Sequence, residues 1–527
     1  MKKNKGFTLV EMLGVTIILG LLIILVVPNL MRVYKRAQEK EYKLFMERIE
    51  RVVIVYAENN KNNIKELGVI GGHLCINLQD IVDAGLLNSP QIDPKTKTIL
   101  SNQTQIQIIR TDKDTFQIEY NPKECRSYAP EIPEFVMVDA GSYFSLALKL
   151  DGTVWAWGQN SSGQLGNGTT EDSYLPIQVK GHEGEGYLTD IIQIAAGSAH
   201  SVALKRDGTV WTWGNNSYGQ LGDGTTTNKS TPVQVRGVNG EGYLTNITQI
   251  SARTHTIALT YNGTVISWGN NMSGQLGDGT AINKATPVQV KDLSGTGVLT
   301  NIKQVVAGKG YSFMGSEGYH SAALINNGTV LAWGYNGYGQ LGNQTTESSL
   351  IPVETIGLTD VVQITSGQHS LYALKNNGTV WAWGYNIAGS LGDGTTTDRH
   401  TPVQVKGPEG EGYLTNIIQI KGGYRHTVAL KNDDTVWTWG INSSGQLGDG
   451  TTTSRLTPVQ VKGIGGEGYL TNVKYISAGG AFPFGLGGGY CIVSKDDGSV
   501  WTWGYNLYGQ LGDGTTTKGT TPKKVFP

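Results

Sequence analysis

Cysteine is scarce in this chain, with three in 527 residues, and Cys491 has no His or Cys neighbours at metal-ligand spacing. A disulfide-dense scaffold and a thiolate metal centre are therefore both excluded, and Cys491 reads as a small buried hydrophobe in a strand. An excess of one charge is missing too. The formal net charge is −1, with 18 Lys and Arg against 14 Asp and Glu up to residue 130 and 24 against 29 beyond it. Overall charge thus points to neither nucleic acid nor an anionic membrane. Long apolar runs are lacking except for one uncharged stretch, Met12 to Val27. No Ser, His and Asp order, metal cluster or lone carboxylate pair stands apart from the repeats described below, so a non-enzymatic protein without cofactor or metal is expected. Glycine is abundant instead, at 73 residues, and it alternates with tryptophan and β-branched residues at regular places. That excess reads as turns rather than disorder.

The apolar run is preceded by a short basic leader and by Gly6-Phe7-Thr8-Leu9-Val10-Glu11. An ordinary secretory signal is cleaved after its apolar core, and no small-x-small site follows Val27. The arrangement resembles the class III signal of type IV prepilins. The resemblance implies cleavage after Gly6 by a prepilin peptidase, N-methylation of Phe7, and a pairing of Glu11 with the free amine of Phe7 on a neighbouring subunit. A carboxylate in an apolar segment is expensive unless paired, which makes Glu11 a functional residue on physical grounds as well.

Beyond Pro28, apolar residues from Leu30 to Tyr56 recur mostly three and four apart and form one stripe. A helix over 7–58 would be roughly 78 Å long, with a kink at Pro28. Its front, 12–27, would cross a bilayer before assembly; the resemblance implies a filament core afterwards. A small α+β head follows at 59–128, with 81–87 helical and a hairpin from 104–110 and 115–120. In an exported pilin-like protein Cys75 and Cys125 are expected to pair, as such heads often carry a bridge. Residues 129–134, with Pro130 and Pro133, read as a stiff linker.

From 135 to 527 the chain is a tandem repeat. Trp-Gly pairs at Trp157, Trp213, Trp268, Trp333, Trp383, Trp439 and Trp503 define seven units. Each holds four strand-like pieces, the middle two joined in six units by Asp-Gly or Asn-Gly, a strong hairpin signal. The sixth unit has Asp433-Asp434 there. Four antiparallel strands repeated seven times predict a β-propeller. Segments such as Asp207-Gly-Thr-Val-Trp-Thr-Trp-Gly and Gly219-Gln-Leu-Gly resemble the regulator of chromosome condensation repeat, which implies seven blades. Pro522–Val525 lacks a following strand and Phe135–Val138 a preceding one, so the two could complete one blade together and close the ring; the sequence leaves the manner of closure open. The fold class expected is thus multidomain: a long N-terminal pilin helix with a small α+β head, then an all-β seven-bladed propeller.

Positions that repeat are read as scaffold. His200, His255, His320, His369 and His426 recur near the start of the second strand, and Asp223, Asp278, Asp393, Asp449 and Asp513 sit in Asp-Gly-Thr turns lacking the ligand spacing of a calcium loop. Departures from the repeat carry more information. Insertions of about 309–318 and 481–489, both between first and second strands, emerge on one face and bring Tyr311, Phe313, Met314, Tyr319, Phe482, Phe484 and Tyr490. Aromatics on glycine-flanked loops suit a protein or glycan ligand, and they suit equally well a plug folded back onto the face.

The expected function is that of a minor pilin-like subunit displaying a propeller on a surface filament for adhesion or recognition. Its partners would be the prepilin peptidase, other pilins, the membrane through residues 12–27, and an unidentified surface protein or glycan, with no nucleic acid. It would lie in the cytoplasmic membrane as a prepilin and outside the cell afterwards. The alternatives are a pseudopilin of a secretion or DNA-uptake machine and a membrane-anchored surface propeller.

Overall fold

The computed structural model describes 73–77, 105–112 and 115–120 as backbone, and 135–308, 312–313, 316–481 and 488–525. The chain divides into two compact units, 1–132 and 133–527. In the first, Gln105–Asp112 and Thr115–Tyr120 pair antiparallel, as the alternation predicts, with Ile108 opposite Ile118. A third strand, His73–Asn77, joins on the other side and sets Cys75 opposite Gln107. The expected helices at 7–58 and 81–87, the linker and Cys125 lie outside the described residues. Among the described residues no helix is long and apolar enough to cross a membrane.

The second unit consists of seven four-stranded antiparallel sheets. Blade 1 contains Phe135–Ala140, Phe144–Lys149, Val154–Gly158 and Ser173–Gln178. The first strands of successive blades touch one another in a closed circle, and the first strand of blade 7, Val473–Ala481, meets that of blade 1. First strands are therefore innermost and line the axis. The hairpins joining second to third strands use left-handed residues, Gly208 at φ 81° for example, and in blade 6 Asp434 adopts φ 61° in place of glycine.

Ring closure does not use such a composite blade. Phe135–Ala140 pairs with the second strand of blade 1, and Gly519–Lys524 pairs with the third strand of blade 7, so each blade uses four consecutive strands and none is shared. The 28 strands are all supplied by seven complete units, which leaves no gap for a composite blade. The ring is held instead by a bond repeated at each junction. The fully buried indole of Trp157, Trp213, Trp268, Trp333, Trp383, Trp439 or Trp503 donates Nε1–H to a loop carbonyl of the preceding blade, that of Gln510, Gln164, Gln220, Gln275, Gln340, Ser390 or Gln446, at 2.9–3.0 Å. The glycine two residues beyond that carbonyl must be glycine twice over. At Gly512 φ is +67°, and a Cβ would stand 2.6 Å from the Trp157 indole nitrogen.

The loop between third and outer strands is organised by one buried asparagine. Asn216 Oδ1 accepts Leu221 N–H, and its amide donates to Asp223 and to the carbonyls of Thr225 and Thr227. Asp223 also accepts Thr225 N–H and its hydroxyl, which is how the Asp-Gly-Thr carboxylates are used. Asp393 and Asp449 are further held by Arg399 and Arg455 at 2.7 and 2.8 Å.

Candidate recognition face

Two kinds of connection emerge at the same end of every blade: from first to second strand, and from third to outer strand. They are tied together residue by residue. The carbonyl just before the second strand accepts the N–H of the residue after Trp-Gly, as in Tyr319 with Tyr335, His369 with Tyr385 and Arg425 with Ile441. These equivalent positions form the face, and their side chains vary from blade to blade.

The histidines separate on this frame. His200, His255, His320 and His426 each pair with the glycine of Trp-Gly, whereas in blade 5 that register position is Ser370 opposite Gly384. His369 is one residue earlier, in the left-handed region at φ 51°. It is therefore not a member of the repeated set, contrary to the reading from spacing, and it belongs to the face. The other four are junction residues. His200 Nε2 lies 3.0 Å from Thr256 Oγ1 and His255 Nε2 2.7 Å from Ser321 Oγ, each on the next blade, and His426 reaches Cys491 Sγ at 3.4 Å. Leu371 occupies the hydroxyl position facing His320, and both ring nitrogens of His320 are buried without a hydrogen-bond partner among the described residues.

Around His369 the face carries an aromatic group drawn from blades 4 and 5. Its ring centroid is 5.2 Å from Tyr338, 5.8 Å from Tyr335 and 6.1 Å from Tyr385, and Tyr338 and Tyr385 approach to 4.5 Å. Such tilted and edge-on contacts suit aromatic quadrupoles. The Arg425 guanidinium lies 5.6 Å from the Tyr385 ring, and its Nε donates to Gln368 at 2.6 Å. Burial, together with the neighbouring Arg425, lowers the His369 pKa to about 4, so the ring is neutral at neutral pH. Burial raises the phenols of Tyr335 and Tyr385. The tyrosines remain partly exposed, while His369 beneath them is 5 % exposed. A smaller group, Tyr143 with Tyr505 and Tyr508 at 6.1 and 5.0 Å, sits at the same end where blades 7 and 1 meet. Neutral rings with partly exposed hydroxyls beside one guanidinium can stack on and hydrogen-bond a ligand; they contain no nucleophile paired with a base.

The residues expected to form the site are distributed otherwise. Tyr319 and Tyr490 are not exposed, at 8 % and 0 %. Tyr490 occupies the histidine register position of blade 7 and donates its hydroxyl to the Phe144 carbonyl across the junction, which draws it inward. Phe313 lies in a two-residue strand, Ser312–Phe313, paired with Ser316–Glu317. Tyr311, Met314, Phe482 and Phe484 fall outside the described residues, as do Gly6, Phe7 and Glu11. The group at Tyr335, Tyr338, His369, Tyr385 and Arg425 was missed because repeated positions were treated as scaffold. The available signal was residue identity at those positions: tyrosine follows Trp-Gly in blades 4, 5 and 7 but not in the others.

Comparison with known proteins bears on both ends of the chain. A prokaryotic N-terminal methylation motif matches residues 1–27, an RCC1-like domain matches 98–314, and the regulator of chromosome condensation (RCC1) repeat matches 327–374, 377–430, 433–486 and 497–527. The ultraviolet-B receptor UVR8 of Arabidopsis thaliana is 30% identical over 396 residues, covering 74% of this chain and 81% of that protein. The E3 ubiquitin-protein ligase HERC2 of Homo sapiens is 31% identical over 391 residues, which is 74% of this chain but 6% of the ligase. Among solved structures, yeast RCC1 (Prp20) bound to Kap60 superposes with a TM-score of 0.57 at 20% identity, covering 72% of this chain and 85% of that one. Human WBSCR16 gives 0.55 at 20%, covering 71% and 94%. Both superpositions speak to fold alone.

Proposed function

Because the chain belongs to the RCC1-repeat family and carries a prokaryotic N-terminal methylation motif ahead of its propeller, we propose that it is a minor type IV pilin-like subunit displaying that propeller on a surface filament for adhesion or recognition. The observation that carries the reading is the fusion itself, a processing signal for filament subunits joined to seven complete blades. The motif implies processing by a prepilin peptidase and assembly with pilin partners. In this reading Gly6 precedes the cut, Phe7 becomes the methylated N-terminus, and Glu11 pairs with that amine in a neighbouring subunit. Residues 12–27 hold the prepilin in the cytoplasmic membrane, 59–128 form the head with a Cys75–Cys125 bridge, and the propeller ends outside the cell. The reading is non-enzymatic.

Recognition is assigned to the face around Tyr335, Tyr338, His369, Tyr385 and Arg425, where partly exposed rings from neighbouring blades converge. Partly buried aromatics and arginine are the side chains that dominate binding energy at protein interfaces, and a glycan uses the same rings for stacking. Filaments sheared from cells and analysed by mass spectrometry should yield propeller peptides and a methylated peptide beginning at Phe7, at low abundance relative to a major pilin. Finding the chain only in membranes with residues 1–6 intact would replace this reading with a membrane-anchored surface propeller.

A further inference from the structure

The axis of the propeller carries a second site, independent of how the chain is displayed. Six of seven blades place glycine just after the core of the innermost strand, at Gly141, Gly197, Gly308, Gly367, Gly423 and Gly479; blade 3 places Arg253 there. Its guanidinium reaches over the neighbouring strands, with Nη1 donating to the Ala196 carbonyl at 2.7 Å and approaching the Ala140 carbonyl at 3.4 Å. Arg253 Nε is buried and has no hydrogen-bond partner among the described residues. Below it the channel encloses a cavity of about 110 Å³, lined by residues of all seven innermost strands, among them Asp139, Ser251, Arg253, Thr365, Lys421 and Ser477.

The hydroxyls in this layer follow one rule. Each accepts a backbone N–H of the next blade: Ser477 from Ala140 at 3.2 Å, Ser251 from Ala307 at 3.0 Å, and Thr365 from Gly422 at 3.4 Å. Each hydroxyl thus keeps a proton to donate. Ser477 gives its proton to Asp139 Oδ1 at 2.7 Å, and the other Asp139 oxygen accepts Ala196 N–H at 2.8 Å, which occupies that carboxylate. Ser251 and Thr365 find no acceptor among the described residues. Lys421 is in the same layer, where the other six positions are Asp139, Ser477, Ser251 and Thr365 with apolar Ala195 and Val306 making up the ring, and it pairs with no carboxylate among the described residues. Two cations and two spare hydroxyl protons therefore surround a cavity with a single carboxylate, Asp139, whose charge acts on Arg253 and leaves one positive charge in excess. Buried donors without acceptors are costly, and unmatched positive charge in a partly enclosed space favours an anion.

We propose that the axial channel binds a small free oxyanion, a carboxylate or phosphate, between Lys421, Arg253, Ser251 and Thr365. The cavity has room for one such ion or for several waters. The full chain, solubilised in detergent, is titrated calorimetrically with acetate and with inorganic phosphate at constant ionic strength set by chloride. Saturable binding of at least one is expected, and the two arms distinguish carboxylate from phosphate. Lys421→Met should weaken it about tenfold or more, Thr365→Val should weaken it less, and Lys474→Met, an exposed control on the neighbouring blade, should leave it unchanged. Cooperative thermal unfolding of each variant establishes that it folds. No saturable heat with either anion, or equal binding in Lys421→Met and the wild type, would show that the channel holds water only and overturn the proposal.

Discussion

The junction between blades 7 and 1 lacks the chain connection that every other pair of neighbouring blades enjoys, and its side chains differ accordingly. At the internal junctions of blades 2 to 3 and 3 to 4, a histidine nitrogen faces a hydroxyl, and a glutamine on the innermost strand reads the backbone of the next one: Gln193 both accepts from and donates to Ile250. At the seam neither device is present. Tyr490 donates to the Phe144 carbonyl, Ser145 donates to the Gln510 carbonyl at 2.9 Å, and Asp139 with Ser477 takes over at the axis. Common to both kinds are the Trp bond, Trp157 to Gln510 at the seam, and a hydroxyl bond to that same carbonyl, made by Ser145 at the seam and by Thr256 and Ser321 at the internal junctions. A ring built from identical units thus specialises where the two ends of the chain meet, exchanging titratable imidazoles for a phenol.

Acid should separate the two kinds of junction most strongly. Burial depresses His200, His255 and His320 to about 3 and His369 to about 4, from an ordinary 6.5. These histidines are neutral when folded and take up protons when unfolded, so their contribution is complete above pH 6.5 and is lost as pH falls toward those values. The loss is at most about 1.4 kcal/mol per histidine per pH unit. Urea midpoints measured between pH 7 and 5 should fall accordingly; a flat profile would remove the histidines from the account. Next in size, Trp157→Ala should lower stability by about 3–5 kcal/mol. Trp268→Ala opens the same cavity at a junction where the chain still connects the blades, so a seam variant no worse than this one would mean that covalent continuity contributes little.

Tyr490→Phe removes one of the two bonds to the Phe144 carbonyl, which keeps the Gly141 N–H, and should lower stability by about 0.5–1.5 kcal/mol. Thr256→Val, which deprives His200 of its hydroxyl, serves as the internal counterpart in the same denaturation series. The smallest effect is expected from His320→Phe. Blade 1 already holds phenylalanine at this register, Phe144, and His320 has two buried nitrogens without partners among the described residues. That variant should match or slightly exceed the wild type, by no more than about 1 kcal/mol, while flattening part of the pH profile; clear destabilisation would reveal a partner for the imidazole.

Strand number, blade number and the hairpin turns were legible because each rests on a local pattern repeated seven times. How the ring closes was not. Phe135–Val138 and Pro522–Val525 suggest a shared blade because they are the first and last strand pieces of the repeat region, but closure is decided by side-chain bonds across a gap of some 340 residues, such as Ser145 with Tyr490, which no local pattern reports. His369 shows a finer limit. Spacing places it with the other histidines, and a shift of one residue at a left-handed backbone position moves it from the junction to the face. Arg253 was visible as an arginine in a column of glycines, though only the circle of innermost strands reveals that this column surrounds a channel.

Blades made of consecutive strands also determine how tension would travel. A pull transmitted along the chain from upstream enters at Phe135, the start of the innermost strand of blade 1. That strand is laced to the second strand of its own blade and, through Asp139 and Ala140, to Ala196 and Ser477 on the flanking blades. The opposite end of the repeat region, Gly519–Lys524, is the outer strand of blade 7, on the rim. Mechanical resistance would then reside in a single axial strand and its few lateral ties, and peeling it away would breach the circle at its one discontinuity.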